Sequence, residues 1–202
     1  FAPICSCGKG CVPGIATGPT AGGIVFFPEG LYLVSTSLVV NTGRRILLLG
    51  AGRAAAILLC GITGSGANPL LEISSPNNNF LIQGLGFQGN ALTGSSGNGH
   101  AIALINREAG AGVTTFWPQQ VMIRDCAIEY FQGTGKDSTG ASIPACGVYM
   151  FGGTQQLMAN TSIYTCRGGF RLDKMQKVYI QQSSVDVASV SAVRLEDCVA
   201  IS

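Results

Sequence analysis

Two carboxylates and a tyrosine stand at equivalent places of a pattern that recurs along the second half of the chain. Glu129, Tyr164 and Asp186 each come six residues after the apolar residue that starts the pattern. If successive copies stack as neighbouring strands, the two carboxylates lie about 10 Å apart with Tyr164 between them. Glycoside hydrolysis needs two carboxyl groups roughly 5 to 9.5 Å apart, so the pair is marginal for an inverting mechanism. The alternative, which we favour, is a row of solvated side chains.

A second row of side chains contains two arginines. A small residue followed by apolar, variable and apolar residues recurs, and the variable place holds Tyr149, Arg171 and Arg194. We expect this row to be exposed, where stacked arginines repel each other unless an anion lies over them. Such a row would bind an acidic sugar. The alternative, which we prefer, is that the arginines pair with Asp173 or Glu196.

The chain contains one tryptophan and one histidine. Trp117 lies in an inserted stretch, near Arg107 and Glu108. An exposed tryptophan stacks well on sugar rings, but a Trp-Pro step also fills apolar surface beneath an insertion or at a subunit contact, and the sequence leaves both open. His100 starts a predicted strand, which favours a structural hydrogen-bonding role over catalysis.

The elements that must position these residues are short strands with a constant period. Copies of the first pattern begin at Ile82, Ile123, Met158, Ile180 and Ile201. Met158 to Ile180 is 22 residues, and in the second pattern Val148 to Phe170 is also 22. Two registers that share a period of about 20 to 25 residues, without helices, predict a parallel β-helix whose coils stack at about 4.8 Å.

The same pattern predicts the corners and the insertions of the coils. The corner between two sheets falls two residues after each anchor, at Gly84, Asp125, Asn160 and Gln182. Asn and Asp tolerate the left-handed conformation and bond their own backbone there. Insertions occupy residues 88–99, 106–119 and 132–145. Loops of this kind often hold the function of a solenoid.

Composition bounds the class of protein and its partners. With 202 residues, 47% hydrophobic and 11% charged, and with 29 glycines, the chain is one β-rich domain with ample core material. A net charge of +2 without a basic block makes nucleic acid an unexpected partner. The longest apolar stretch, residues 46–60, is interrupted by glycines and an arginine, so we expect no membrane span.

Eight cysteines favour an oxidising compartment. Cys5, Cys7 and Cys11 supply three thiols, one short of a four-ligand zinc site, so we predict disulfides there rather than a metal. The sequence does not select the pairing. A lone G-x-G at Gly50 and Gly52 lacks the third glycine and the helix of a dinucleotide loop, so that cofactor is not predicted.

Three segments resemble the pectate-lyase-like superfamily. Residues 22–34 (GGIVFFPEGLYLV) are similar to its G-G-x-V-x-F/Y-P-x-G-x-Y-x-V/I segment, and residues 46–52 and 80–87 resemble the coils that follow. The resemblance covers about residues 22–202 and implies an all-β fold, a single-stranded right-handed parallel β-helix. The Cys- and Gly-rich residues 1–21 depart from it, because such proteins often begin with an Asp-rich segment and a capping helix.

The superfamily includes polysaccharide lyases, polygalacturonase-type hydrolases and phage tailspikes, so the resemblance implies polysaccharide as the partner. Polygalacturonase-type activity is not expected, because Ser162 stands where that family's Asn-Thr-Asp motif has its aspartate. Lyases of the superfamily use basic residues on a uronate, a role that Arg171 and Arg194 would fill. We expect no cofactor, and a bound calcium ion is left open.

We therefore expect an irregular segment at residues 1–21 and a β-helix domain at residues 22–202. Because an open β-helix end exposes unpaired backbone groups, we expect the domain to continue in a longer polypeptide or to be covered by another chain.

Our first hypothesis is an extracellular or virion-surface protein that binds polysaccharide, with cleavage left open. The catalytic candidates are Glu129 and Asp186, and the substrate-binding candidates are Trp117, Tyr149, Tyr164, Arg171 and Arg194. The alternative is a non-catalytic fibre, appendage, spike or capsid component that assembles as a homo-oligomer, a trimer or a filament.

Overall fold

The chain is an all-β solenoid. A computed structural model describes residues 22–40, 45–62, 68–74, 79–89, 99–106, 119–186 and 189–201. Within these ranges there are 21 strands and no helix. Three parallel sheets, here called A, B and C, each take one strand from every turn of the chain. The predicted parallel β-helix is therefore confirmed.

The strands succeed one another in the order A, B, C around each coil. Sheet A contains β1 (Gly23–Phe27), β4 (Ile46–Gly50), β7 (Leu81–Gln83), β10 (Met122–Arg124), β15 (Thr154–Ala159), β18 (Gln176–Gln181) and β21 (Val199–Ile201). Sheet B contains β2 (Gly30–Val34), β5 (Ala56–Cys60), β8 (Gly86–Gln88), β11 (Ala127–Glu129), β16 (Ser162–Tyr164) and β19 (Ser184–Asp186). Sheet C contains β3 (Leu38–Val40), β6 (Leu71–Ile73), β9 (Ile102–Ile105), β14 (Cys146–Phe151), β17 (Gly168–Asp173) and β20 (Ser191–Glu196). An antiparallel hairpin, β12 (Thr134–Lys136) and β13 (Ser142–Pro144), occupies the insertion at residues 132–145.

Inward side chains of the three sheets form apolar columns along the axis of the solenoid. In sheet A the predicted anchors Ile82, Ile123 and Met158 are in register and fully buried. Sheet C stacks Val148 on Phe170 in the same way. Because side chains alternate between the two faces of a strand, this register also determines which residues face outward.

The register of the last copy of the first pattern differs from the prediction by two residues. Ile201 pairs with Val178, not with Ile180. A shift of two residues equals one full period of a strand, so alternation of apolar residues alone cannot distinguish the two registers.

The corners between sheets A and B consist of residues in the left-handed conformation. Gly84, Asp125, Asn160 and Gln182 have φ of 68°, 54°, 47° and 47°. The side chains of this corner are also bonded between coils, since Asn160 Nδ2 donates to Asp125 Oδ1 at 2.7 Å. The predicted corner positions are therefore confirmed.

Several corners are closed by a buried or half-buried side-chain donor. Cys126, Cys166 and Cys198 each donate a thiol hydrogen bond to the backbone carbonyl two residues earlier, at 3.2 to 3.3 Å. At the place of Cys126 the next coils carry Thr161 and Ser183, whose hydroxyls donate in the same way at 3.1 and 2.9 Å. These cysteines thus have the role of a buried Ser or Thr.

All five described cysteines are free thiols: Cys60, Cys126, Cys146, Cys166 and Cys198. Burial raises the pKa of Cys126 and of Cys146 to about 12, so both stay protonated at neutral pH. Cys5, Cys7 and Cys11, where disulfides are predicted, lie outside the described residues. No disulfide therefore joins the coils within the described part of the chain.

His100 lies between sheet C and the hairpin and is 1% exposed. Its Nδ1 accepts a hydrogen bond from the backbone N–H of Cys146 at 3.0 Å, and its Nε2 lies 3.1 Å from the carbonyl oxygen of Lys136, to which the neutral ring donates. The ring stacks on Tyr149 with centroids 4.8 Å apart. Gly135 passes so close that a Cβ there would lie 2.2 Å from the ring. The role is structural, as expected.

We predict that His100 makes the stability of the fold depend on pH. Burial lowers its pKa to about 4, although the hydrogen bond to Lys136 raises it. Between about pH 6.5 and pH 4 the unfolded chain takes up a proton at His100 and the folded chain does not. The free energy of unfolding should therefore fall by about 3 kcal/mol as the pH drops through this window.

Urea unfolding of the wild type and of His100→Gln at pH 7, 5.5 and 4.5 measures this effect. The difference in the free energy of unfolding between the wild type and His100→Gln should shrink as the pH falls. NMR titration of the ring in the folded wild type supplies a second measurement. A ring that protonates near pH 6.5 in the folded protein contradicts the prediction.

Candidate functional site

A row of polar side chains runs along the outer face of sheet B. Gln88, Glu129, Tyr164 and Asp186 are in register on four consecutive coils. Glu129 and Asp186 are thus two coils apart, about 10 Å along the axis, as the repeat predicts. Tyr164 is 38% exposed and lies between them.

Part of this row lines an open groove of about 260 Å³. The lining residues are Arg53, Ala54, Ile57, Gly86, Phe87, Gln88, Ala127, Glu129 and Tyr164. Gly86 and Ala127 lie in register two residues before Gln88 and Glu129 on the same strands. Their small size leaves the space that the groove occupies.

Arg53 is a groove residue that the repeat does not reveal. It belongs to the turn at residues 53–55, between β4 and β5. Its side chain is exposed, and Nη1 donates to Ser162 Oγ at 3.5 Å. Since Ser162 belongs to β16, three coils beyond β5 in sheet B, the guanidinium reaches along the axis of the solenoid.

The glycine-rich segment after β4 places Arg53 over the sheet. Gly52 donates its backbone N–H to the Gly84 carbonyl at 3.1 Å, which fixes the turn on the next coil. A Cβ on Gly86 would lie 2.5 Å from the Arg53 carbonyl oxygen, and a Cβ on Gly50 would lie 2.2 Å from that of Gly84. These contacts leave no room for larger residues. Gly50 and Gly52 do not form a dinucleotide loop, but their presence is the signal in the sequence that could have revealed this turn.

The groove presents the groups that recognise hydroxyls. Arg53 only donates hydrogen bonds, an ionised Glu129 only accepts them, and the Gln88 amide does both. Tyr164 adds an exposed aromatic side chain. Since neighbouring coils are about 4.8 Å apart, a ligand along the axis meets one polar side chain per coil. Glu129 is the one carboxylate among the lining residues.

The row on sheet C differs from the expectation. Tyr149 is fully buried and Arg171 is 8% exposed, so the predicted exposure of these two residues is wrong. The reason is the hairpin, because Ile143 of β13 packs against the cluster that contains Tyr149 and the backbone N–H of Ser138 donates to the Tyr149 hydroxyl at 3.0 Å. Such burial leaves Tyr149 no surface with which to contact a sugar.

The arginines of this row are paired. Arg171 Nε lies 3.0 Å from Asp173 Oδ2, and Arg171 Nη2 lies 3.2 Å from Glu196 Oε2. Arg194, which is exposed, donates from Nε to Glu196 Oε1 at 2.7 Å. The carboxylates therefore neutralise the stacked cations. Burial raises the pKa of Asp173, although Arg171 lowers it.

Trp117, with its neighbours Arg107 and Glu108, lies outside the described residues, so its role stays a prediction. Among the side chains that the structure describes, no group of three or more His, Cys, Asp or Glu could hold a metal ion. The described ranges also contain no helix long and apolar enough to cross a membrane.

No model of a known protein family matches the chain, and no curated protein matches it either. Solved structures do. The catalytic domain of a GH87 alpha-1,3-glucanase in complex with nigerose aligns with a TM-score of 0.58 and 14% identity over 85% of this chain. The same domain in complex with tetrasaccharides aligns with a TM-score of 0.56 and 15% identity over 82% of the chain.

The chain spans about a quarter of the length of these domains, 26% in both alignments. Identity this low shows the fold alone. Together with the three parallel sheets, it shows that the chain has a parallel β-helix fold, which is the fold that the resemblance to the pectate-lyase-like superfamily implies.

Proposed function

We propose that this protein is an extracellular or virion-surface β-helix that binds polysaccharide in the groove of sheet B. The observation that carries the proposal is the register of Gln88, Glu129 and Tyr164 beside Arg53 in one open groove. Their donors, acceptors and aromatic ring suit a chain of sugars that runs along the axis.

The fold supports the same class of ligand. The solved domains that share it are described as catalytic domains of an alpha-1,3-glucanase. An α-1,3-glucan is therefore the first polymer to test, within an array that also holds other neutral and acidic polysaccharides.

Cleavage is the finer part of the proposal. Glu129 and Asp186 are separated by the coil that carries Tyr164, and their spacing of about 10 Å lies just beyond the range that an inverting hydrolase uses. A water molecule would have to fit between the sugar and one of these carboxylates. Binding needs no such geometry, so it is the function that the groove supports best.

We predict that Tyr164→Ala weakens binding about fivefold, because the substitution removes the exposed ring of the groove. Tyr179→Ala is the matched control: Tyr179 is 43% exposed but lies on sheet A. Isothermal titration calorimetry with the polysaccharide of the array that binds most tightly measures the affinity of both variants. Equal affinities for the two variants, or no binding by the wild type to any polymer, would contradict the proposal.

If the protein also cleaves polysaccharide, we predict that Glu129→Gln and Asp186→Asn each slow the formation of products at least about 100-fold. Asp197→Asn, a change outside sheet B, should have no effect. Reducing ends report hydrolysis and unsaturated uronates report elimination. Products formed at the wild-type rate in both sheet B variants would remove these two residues as catalysts and leave a binding protein.

A structural rod is the second candidate, and the outer face of sheet A favours it. The face carries an apolar row in register across six coils: Ile24, Leu47, Leu81, Met122, Leu157 and Tyr179. Ile24 is 66% exposed. Arg124 and Lys177 are the charged residues that the sheet A strands of these coils place in the two outward rows beside it, and a low content of charge is typical of the centre of a protein interface.

We predict that copies of the chain associate through this row and that Met122→Gln combined with Leu157→Gln weakens association at least tenfold. The exposed pair Gln120 and Gln155, replaced by Asn, is a control that keeps the polarity of the face. Sedimentation velocity over a range of concentrations measures the effect. A wild-type protein that stays monomeric at every concentration would contradict the rod.

A further inference from the structure

The groove carries one positive and one negative side chain. Of its nine lining residues, Arg53 and Glu129 are the charged ones. Their charges cancel, so the groove as a whole attracts neither a polyanion nor a polycation. The next carboxylate of the row, Asp186, lies one coil beyond Tyr164 and adds negative charge at that end.

The guanidinium of Arg53 is free to turn toward a ligand. Its bond to Ser162 Oγ is 3.5 Å long, at the outer limit for a hydrogen bond, and it is solvent-exposed. An exposed bond of this length contributes little to stability. The backbone of Arg53, in contrast, packs directly against Gly86 at the edge of the groove.

Hydroxyl groups match this pair of charges better than carboxylates do. A hydroxyl accepts a hydrogen bond from Arg53 and donates one to Glu129, so an uncharged sugar satisfies both residues. The carboxylate or sulfate of an acidic sugar also pairs with Arg53, but Glu129 and Asp186 then repel it. When Asp186 is counted, the row carries one positive and two negative side chains, so its net charge disfavours an anion relative to an uncharged sugar.

We propose that Arg53 contacts the ligand and, with Glu129, makes the groove select an uncharged polysaccharide over an acidic one. The inference rests on the proposed function and adds the class of sugar and one residue that the repeat pattern does not identify. Arg53 is a specificity-determining residue of the groove.

The test compares α-1,3-glucan oligosaccharides with the same oligosaccharides oxidised to carboxylates at C6, and dextran with dextran sulfate. The wild type should bind a neutral form at least tenfold more tightly than its acidic counterpart. Arg53→Gln should weaken binding of the neutral form about tenfold, since it removes a charge-assisted hydrogen bond. Glu129→Gln should shift the preference toward the acidic form, because one of the two repelling carboxylates is gone.

Two variants control for charge and for structure. Lys177→Gln removes one exposed cation from sheet A and should leave affinity and preference unchanged. Ser162→Ala removes the acceptor of the Arg53 bond but keeps the guanidinium, so its loss of affinity should be smaller than that of Arg53→Gln. Equal losses in the two variants would mean that Arg53 acts only as a bridge between coils, which overturns the inference.

The outcomes separate this inference from the proposed function. If Tyr164→Ala weakens binding and Arg53→Gln does not, the groove binds polysaccharide and the role of Arg53 is wrong. A wild-type protein that prefers the acidic forms also overturns the inference while the proposed function stands. If the wild type binds no polymer of the array, both fail.

Discussion

Backbone hydrogen bonds between consecutive coils are the interaction on which the rest of the structure depends. Each strand of the three sheets must pair in parallel with the strands of the coils before and after it. A slip of one residue would turn the apolar columns outward and the polar rows inward. The register that buries Ile123 on Ile82 is thus the same register that places Glu129 beside Tyr164. Core and groove result from one constraint.

Left-handed corners make this stacking repeatable. At four of the corners between sheets A and B a single residue with positive φ changes the direction of the chain, and at three of these a short side chain behind it satisfies the last carbonyl of the strand. Cysteine, threonine and serine all serve there because each is small and donates a hydrogen bond. The repeated element therefore tolerates different residues while its geometry stays constant.

The repeat made the columns, the corners and the sheet B row predictable, because each depends only on position within a coil. The repeat could not reveal features that depend on contacts between a coil and the turns or insertions that interrupt it. Tyr149 has the periodicity of an outward residue, yet the hairpin buries it. Arg53 belongs to no repeated position, and only the packing of Gly50 and Gly86 against neighbouring backbone brings it into the groove. The two-residue error at Ile201 arose because alternation has a period of two.

The outer faces of sheets A, B and C differ in the surface that they present to other molecules. Among the described residues, the hairpin shields part of one face, a second is apolar and nearly uncharged, and the third is grooved and polar. A neighbour that covers the apolar face does not obstruct the groove, because the two lie on different sides of the same coils. Assembly into a larger particle and capture of a sugar chain are therefore compatible in one molecule, and a multimer would display several identical grooves at once, with the gain in avidity that multivalency brings.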